Sequence, residues 1–419
     1  MNSYSLKHDN SFFSRSFEIS GSKSESNRLL ILKSFYRNLE IENLSDSDDS
    51  VVLSKHLNNL SNHIDIGHAG TAMRFLTAFL SIQNNKEFEI TGSERMKQRP
   101  IKILVDALNS LGADIRYKDK VGYPPLIIRG KKINGQEISL SAEISSQYIS
   151  ALILIAPFLD RGLLIHLEGT ITSRPYLEMT LSILNKIGVS YEFTNNKITI
   201  KPLTEIDKTT INVESDWSSV SYFYSIVALS NKSELSIGKF YTSSIQGDKE
   251  LSKIYLKFGV ETEFLDAQGR IILKKIKDFV LPQKVSIDLT KHPDIAQTIA
   301  VTCFGLGISC DLFGLHTLKI KETDRLLALK IELEKLGAEI EITNNSIHLS
   351  CCSKINENIS IDTYNDHRMA MAFAPLAILV PLKINNPGVV SKSYKNFWSD
   401  LKAINFNSTL FRKRTFNSS

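Results

Sequence analysis

Four times along the chain, a run with helical spacing of apolar positions ends in an apolar residue, a glycine, and then alanine or valine. These are Leu111-Gly112-Ala113, Ile187-Gly188-Val189, Phe258-Gly259-Val260 and Leu336-Gly337-Ala338. The glycines stand 76, 71 and 78 residues apart (112 to 188, 188 to 259, 259 to 337). A glycine at that place predicts a helix that stops in the left-handed conformation, which a residue without a Cβ adopts most easily. After two of the four, over 191–200 and 340–349, apolar and polar residues alternate around an Asn-Asn pair. That pattern predicts an antiparallel hairpin. The repeating unit is therefore a helix followed by a hairpin, with further strands and a helix in the remainder. A period of about 75 residues gives between five and six copies in 419.

A period in this range can mean an open solenoid, but stretches such as 149–158 are apolar all round and need cover on several sides. Two globular domains of about three units each are expected instead. A boundary is placed near Glu214-Ser215-Asp216, ahead of the helical pattern Trp217–Leu229. The expected division is 20–214 for the first domain and 1–19 plus 215–405 for the second, with a basic, polar tail over 406–419 that frays. Only 18 positions separate Asp49 from Gly67, so the first unit is expected to lack a hairpin.

Composition narrows the class. Fifty Lys and Arg against forty-five Asp and Glu give a net charge of +5, too weak a bias for a nucleic-acid partner without a clustered basic face. The longest apolar runs are too short to span a bilayer, and the first residues have no signal-peptide core. Four cysteines without CxxC spacing argue against a zinc or disulfide scaffold, and Cys351 and Cys352 are expected as reduced strand residues. A soluble cytoplasmic protein follows.

The chemistry is concentrated in loops at predicted helix starts. Lys321-Glu322-Thr323-Asp324-Arg325 sets carboxylates among cations. On a helix Lys321 and Arg325 would share a face, with Glu322 in reach of Arg325. The stretch 20–28 feeds Lys23, Ser24 and Arg28 into a helix without Walker spacing. Gly70-Thr71-Ala72-Met73-Arg74 repeats the device, and its simplest reading is a tight turn with Thr71 as cap. Arg99 precedes Pro100, a residue suited to a first helical position. Ser145-Ser146-Gln147 and Ser173 open helices, Asp294 and Arg368 stand at two more, and Lys392 lies in a polar loop. Singly, each is most simply a cap, a surface charge or, for His367, a structural histidine. Together, eight cations at comparable points of a repeated unit suit small substrates rich in phosphate and carboxylate.

These motifs resemble those of the 5-enolpyruvylshikimate-3-phosphate synthase family, the 3-phosphoshikimate 1-carboxyvinyltransferases. The resemblance runs from about residue 18 to about 401. It rests on GSKSESNR (21–28), AGTAMR (69–74), RMKQRP (95–100), SSQ (145–147), KETDR (321–325) and YNDHRMAM (364–371). It implies an α/β fold of the α+β type, with two similar domains, each of about three βαβαββ units, and the active site in the cleft between them. It implies that Lys23, Ser24, Arg28, Ser145, Ser146, Gln147, Ser173, Asp294, Thr317 and Lys321 hold shikimate 3-phosphate. Lys23, Gly70, Arg74, Arg99, Gln147, Arg325, Arg368 and Lys392 would hold phosphoenolpyruvate. Asp294, Glu322 and Lys23 are the candidate catalytic groups, with no cofactor and no metal, in a monomer that binds neither nucleic acid nor membrane. Gly70 leaves room of the kind found in glyphosate-sensitive members. His68, Phe75 and Thr317 depart from the commonest family residues.

Two other readings compete. A UDP-N-acetylglucosamine enolpyruvyl transferase shares fold and chemistry but usually carries a reactive loop cysteine, and no cysteine precedes Cys303 here. A non-catalytic binder of nucleic acid would interleave its cations with aromatics, whereas these sit among Gly, Ser and Thr. A sensor with a dead site would be expected to lack Asp294 or Glu322.

Overall fold

The computed structural model describes residues 2–9, 11–143, 145–352 and 354–411. The chain forms two compact units, one of residues 20–214 with 245–247 and the other of 1–19, 215–244 and the chain from 248 onward. Each has its own apolar core.

A βαβαββ module recurs in both. In the unit 20–214, strand His63–Asp65 pairs in parallel with Glu87–Thr91 across the helix Gly70–Ser81. After helix Lys102–Ser110, strands Asp114–Tyr117 and Leu126–Arg129 complete an antiparallel hairpin on the same sheet. Glu137–Ser141, Leu163–Glu168, Tyr191–Thr194 and Lys197–Ile200 form a second such sheet with helices Ser146–Ile155 and Arg174–Lys186. The module around Leu39–Glu42 and Thr209–Asn212 has only those two parallel strands, with helices Lys23–Phe35 and Asp48–Asn58. The other unit carries three four-stranded sheets of the same kind.

The four repeat glycines take φ of 107°, 93°, 75° and 101° at Gly112, Gly188, Gly259 and Gly337, each just past a helix. The two hairpins differ. Asn195 and Asn196 both adopt positive φ (45° and 59°), as a two-residue turn matched to strand twist requires. Asn344-Asn345 instead makes a turn closed by Thr343 N donating to Ser346 O at 3.0 Å. The Asn345 side chain accepts from His316 N at 3.0 Å.

Three expectations from sequence are corrected here. Residues 406–411, expected to fray, are the strand Phe406–Phe411, paired antiparallel with Ser3–His8. Phe406 is buried in the core, which the polar composition of the segment concealed; residues 412–419 lie outside the described part. Cys351 and Cys352 lie beyond the strand Ser346–Leu349, not within it, and are free thiols. Pro100 does not start a helix, since Lys102–Ser110 begins after an Ile101 cap.

Within each unit the buried helices lie side by side with their starts together. In the first, Gln147 Nε2 at the start of Ser146–Ile155 donates to Thr71 Oγ1 at the start of Gly70–Ser81 (3.3 Å). In the second, Gln297 Nε2, near the start of Ala296–Leu306, reaches Met369 Sδ at the start of His367–Phe373 (3.1 Å). The Ser221 hydroxyl of Trp217–Leu229 meets Thr298 Oγ1 at 3.2 Å. Parallel helices with adjacent starts place several positive dipole ends at one end of each unit.

Candidate active site

In the unit 20–214 the polar groups gather at those helix starts. Ser22 caps the helix Lys23–Phe35, and Lys23 at its first position stands 3.6 Å from Asp49 Oδ2. Gly21 is required there, because a Cβ would fall 1.8 Å from Asn43 O. Behind Asp49, hydroxyls run from Ser45 to Ser47 to Ser50, which donates to Asn27 Oδ1 at 2.7 Å. Arg28 is 2% exposed and turned inward. It donates to Thr180 Oγ1 (2.7 Å), Ser24 O (2.7 Å), Ser150 Oγ (3.1 Å) and Tyr176 O (3.2 Å), joining three helices. Burial lowers its pKa to about 10, which leaves it charged at neutral pH.

Arg74 works in the same way. Its Nη1 donates to Gly70 O (3.1 Å) and its Nη2 to Pro100 O (3.3 Å), so the helix start and the 96–100 loop are held together. Arg99, also buried, lies over Gly70, where an added Cβ would meet its Nη1 at 2.5 Å. Thr71 is not the helix cap; Ala69 holds that position and the Thr71 hydroxyl serves Gln147. Ser145 caps its helix by accepting from Gln147 N (3.4 Å), and Ser146 follows as the first helical residue. Ser173 starts Arg174–Lys186 in the left-handed conformation (φ 55°) with no cap from its side chain. A non-glycine residue held there is strained.

In the other unit the centre is Arg325, 2% exposed. Its Nε donates to Asp366 Oδ2 (2.7 Å), Nη1 to Asp294 Oδ1 (2.9 Å), and Nη2 to Glu322 Oε2 (2.9 Å) and Asp366 Oδ1 (3.3 Å). Around this core, Lys392 Nζ donates to Glu322 Oε1 at 2.7 Å, Lys321 Nζ lies 3.5 Å from Asp294 Oδ1, and Arg368 Nη2 lies 3.3 Å from Asp294 Oδ2. Burial pushes the Asp294 carboxyl upward, but the Arg368, Lys321 and Arg325 cations outweigh it and hold the group well below the usual carboxylate range. Asp294 therefore does not cap its helix; it faces cations.

The 321–325 segment is not one helical face. The helix starts only at Arg325, because the Asp324 side chain accepts from Leu326 N and Leu327 N (3.1 Å each) and ends the preceding turn. Lys321 and Arg325 nonetheless converge, on Asp294 and not through helical spacing. Thr317 is buried on the turn His316–Ile320, and its hydroxyl has no hydrogen-bond partner among the described residues. His367 is buried beside Asp366 (3.6 Å). Sequence reasoning left out Asp366, Asp49, Ser218 and Asp248. Asp366 stood inside the motif 364–371, whereas nothing local marked the other three.

A repeated βαβαββ scaffold whose helix starts carry arginines and lysines beside carboxylates fits a class of enzymes that act on small anions. The EPSP synthase from Acinetobacter baumannii shares this fold, with a TM-score of 0.77 and 19% identity over 98% of this chain and 100% of that one. So does the enolpyruvyl transferase NikO from Streptomyces tendae (TM-score 0.74, 12% identity, 99% of each chain). The sequence model of the EPSP synthase (3-phosphoshikimate 1-carboxyvinyltransferase) family matches residues 34–401. The 3-phosphoshikimate 1-carboxyvinyltransferase of Bacteroides fragilis (strain YCH46) is 44% identical, covering 93% of this chain and 95% of that protein. That of Shewanella loihica is 34% identical, covering 92% and 96%. The chain belongs to the EPSP synthase family.

Proposed function

We infer that the two groups of helix-start residues serve one reaction, the one the family is named for. The protein transfers the enolpyruvyl group of phosphoenolpyruvate to the 5-hydroxyl of shikimate 3-phosphate and releases phosphate. The observation that carries this reading is Asp294 and Glu322 bound to one buried arginine and ringed by Lys321, Arg368 and Lys392. Two carboxylates are needed for proton transfer, and the surrounding cations suit phosphate and carboxylate groups.

Asp294 takes the proton of the attacking hydroxyl as its oxygen bonds to carbon 2 of phosphoenolpyruvate. Glu322 delivers a proton to carbon 3, giving a tetrahedral intermediate. In the second half Glu322 takes a proton back from carbon 3, the carbon–oxygen bond to phosphate breaks, and Lys23 protonates the departing oxygen. Asp294 is a weak base while three cations face it. Substrate phosphates and carboxylate drawing on those cations raise its basicity when the substrates are bound.

Shikimate 3-phosphate is held by Lys23, Ser24, Ser145, Ser146, Gln147, Ser173 and Lys321, with Thr317 offering its unpartnered buried hydroxyl. Phosphoenolpyruvate is held by Lys23, Gly70, Arg99, Gln147, Arg368 and Lys392. Arg28, Arg74 and Arg325, whose donors already serve protein groups, contribute mainly charge and shape. The protein works as a cytoplasmic monomer on small molecules alone; among the described residues no helix is long and apolar enough to cross a membrane.

The test is phosphate release from phosphoenolpyruvate with shikimate 3-phosphate, with UDP-N-acetylglucosamine, and with neither. Release only with shikimate 3-phosphate is expected. Release with the sugar nucleotide alone would replace this reading.

A further inference from the structure

Outside the recognised motifs, one buried carboxylate reaches the candidate site through a single hydroxyl. Asp248, 4% exposed on the turn Gly247–Glu250, accepts a short hydrogen bond at Oδ2 from the Ser218 hydroxyl. Ser218 is the second residue of the helix Trp217–Leu229, and its oxygen accepts in turn from Arg368 Nη2 at 3.4 Å. The same Nη2 stands 3.3 Å from Asp294 Oδ2. The other Asp248 oxygen, Oδ1, has no hydrogen-bond partner among the described residues, and His292 Nδ1 lies 3.9 Å from it.

We propose that Asp248 is a positioning residue, which fixes the direction of the Ser218 hydroxyl so that its oxygen faces Arg368 and sets that guanidinium against Asp294. The proposal rests on the functional reading above, in which Arg368 holds phosphoenolpyruvate and Asp294 is the base. An ionised carboxylate only accepts, so the Ser218 proton must point to Asp248 and its lone pairs are left for Arg368. A protonated carboxyl can donate to Ser218 instead, and the hydroxyl proton is then free to turn toward the guanidinium. Direction in the chain thus depends on the charge of Asp248.

That charge is poised near neutrality. Burial raises the Asp248 pKa to about 6 against the Ser218 hydrogen bond and Arg368, which lower it, with Asp294 and Asp216 adding to the rise. The groups facing it are Ser218 and Asp216 from the helix Trp217–Leu229 and its cap, His292 and Asp294 from the segment before Ala296–Leu306, and Arg368 from His367–Phe373. Burial lowers the pKa of His292 as well, against Glu250, which raises it.

The test compares kcat and KM for phosphoenolpyruvate between pH 5 and 8 in wild type, Ser218→Ala, Ser218→Thr and Asp248→Asn. Loss of one hydrogen bond to a charged group predicts a KM raised about tenfold in Ser218→Ala, with kcat changed far less. Ser218→Thr, which keeps the hydroxyl, restores KM. Wild-type KM rises as pH falls through about 6, and the rise is shallower in Ser218→Ala and Asp248→Asn, which keep only the part set by protonation of the substrate phosphates. An unchanged KM in Ser218→Ala, or the same acid limb in Asp248→Asn, would overturn the proposal while leaving the enzyme assignment intact. Wild type that releases no phosphate with shikimate 3-phosphate would remove the assignment itself, and this proposal with it.

Discussion

Asp294 and Glu322 are bound by one guanidinium: Arg325 donates to Asp294 Oδ1 and to Glu322 Oε2, at 2.9 Å each. Two carboxylates that would repel one another are thereby held close by a shared cation, and loss of that cation would leave both buried without it.

If Glu322 moves the proton at carbon 3, Glu322→Gln keeps the shape and most contacts but removes the proton carrier. Both substrates should still bind, with turnover reduced by about two to four orders of magnitude. Equilibrium binding and single-turnover phosphate release separate the two effects; near wild-type turnover would exclude the role.

Arg325→Ala leaves Asp294, Asp366 and Glu322 without their shared cation. Breaking a buried ion cluster by removing one partner costs about 3–5 kcal/mol, so the thermal midpoint should fall by on the order of 10 °C. Arg325→Lys should recover little, since one ammonium cannot reach three carboxylates in the fork geometry of arginine. Calorimetry on both variants decides this, and a drop of only a degree or two would show the cluster is weakly coupled to stability.

Gly70→Ala places a methyl group 2.5 Å from the present position of Arg99 Nη1. The guanidinium end must move while the helix stays put, so folding should change little. KM for phosphoenolpyruvate should rise about ten- to a hundredfold, and inhibition by glyphosate should weaken relative to a sensitive wild type. Steady-state kinetics with and without glyphosate checks both halves; an unshifted KM would mean Arg99 does not contact that substrate.

The raised Asp248 pKa has a stability cost with a defined pH window. The folded chain binds this proton more tightly than the unfolded chain, so the group favours folding below its unfolded pKa of about 3.9. That favourable term is lost as pH rises through about 6. Above it, the buried charge costs on the order of 3 kcal/mol. Asp248→Asn should therefore gain stability relative to wild type as pH is raised from 4 to 8. Thermal scans showing a pH-independent difference would contradict the assignment of this shift to Asp248.

What could be read from sequence was what is local. The repeat glycines, the Ser145 cap and the Glu322–Arg325 pair three residues apart follow from spacing alone, and the structure shows each of them. The Asp366–Arg325 bond joins residues 41 apart, and the Arg368–Ser218 bond residues 150 apart. No periodicity encodes such meetings; they are set by how modules stack. The helix does start within 321–325, but Lys321 and Arg325 share no helical face, because the Asp324 carboxylate ends one turn and opens the next.

The pairing of Ser3–His8 with Phe406–Phe411 also bears on how the protein is made. At about 5–20 residues per second, a ribosome needs roughly 20–80 s to travel from the first of these strands to the second. The strand Ser3–His8 waits nearly that long for either of its neighbours, Leu382–Asn385 and Phe406–Phe411, while the unit of 20–214 with 245–247 is complete far earlier. Until then its backbone N–H and C=O groups stay unpaired and open to other strands, a cost of this chain order.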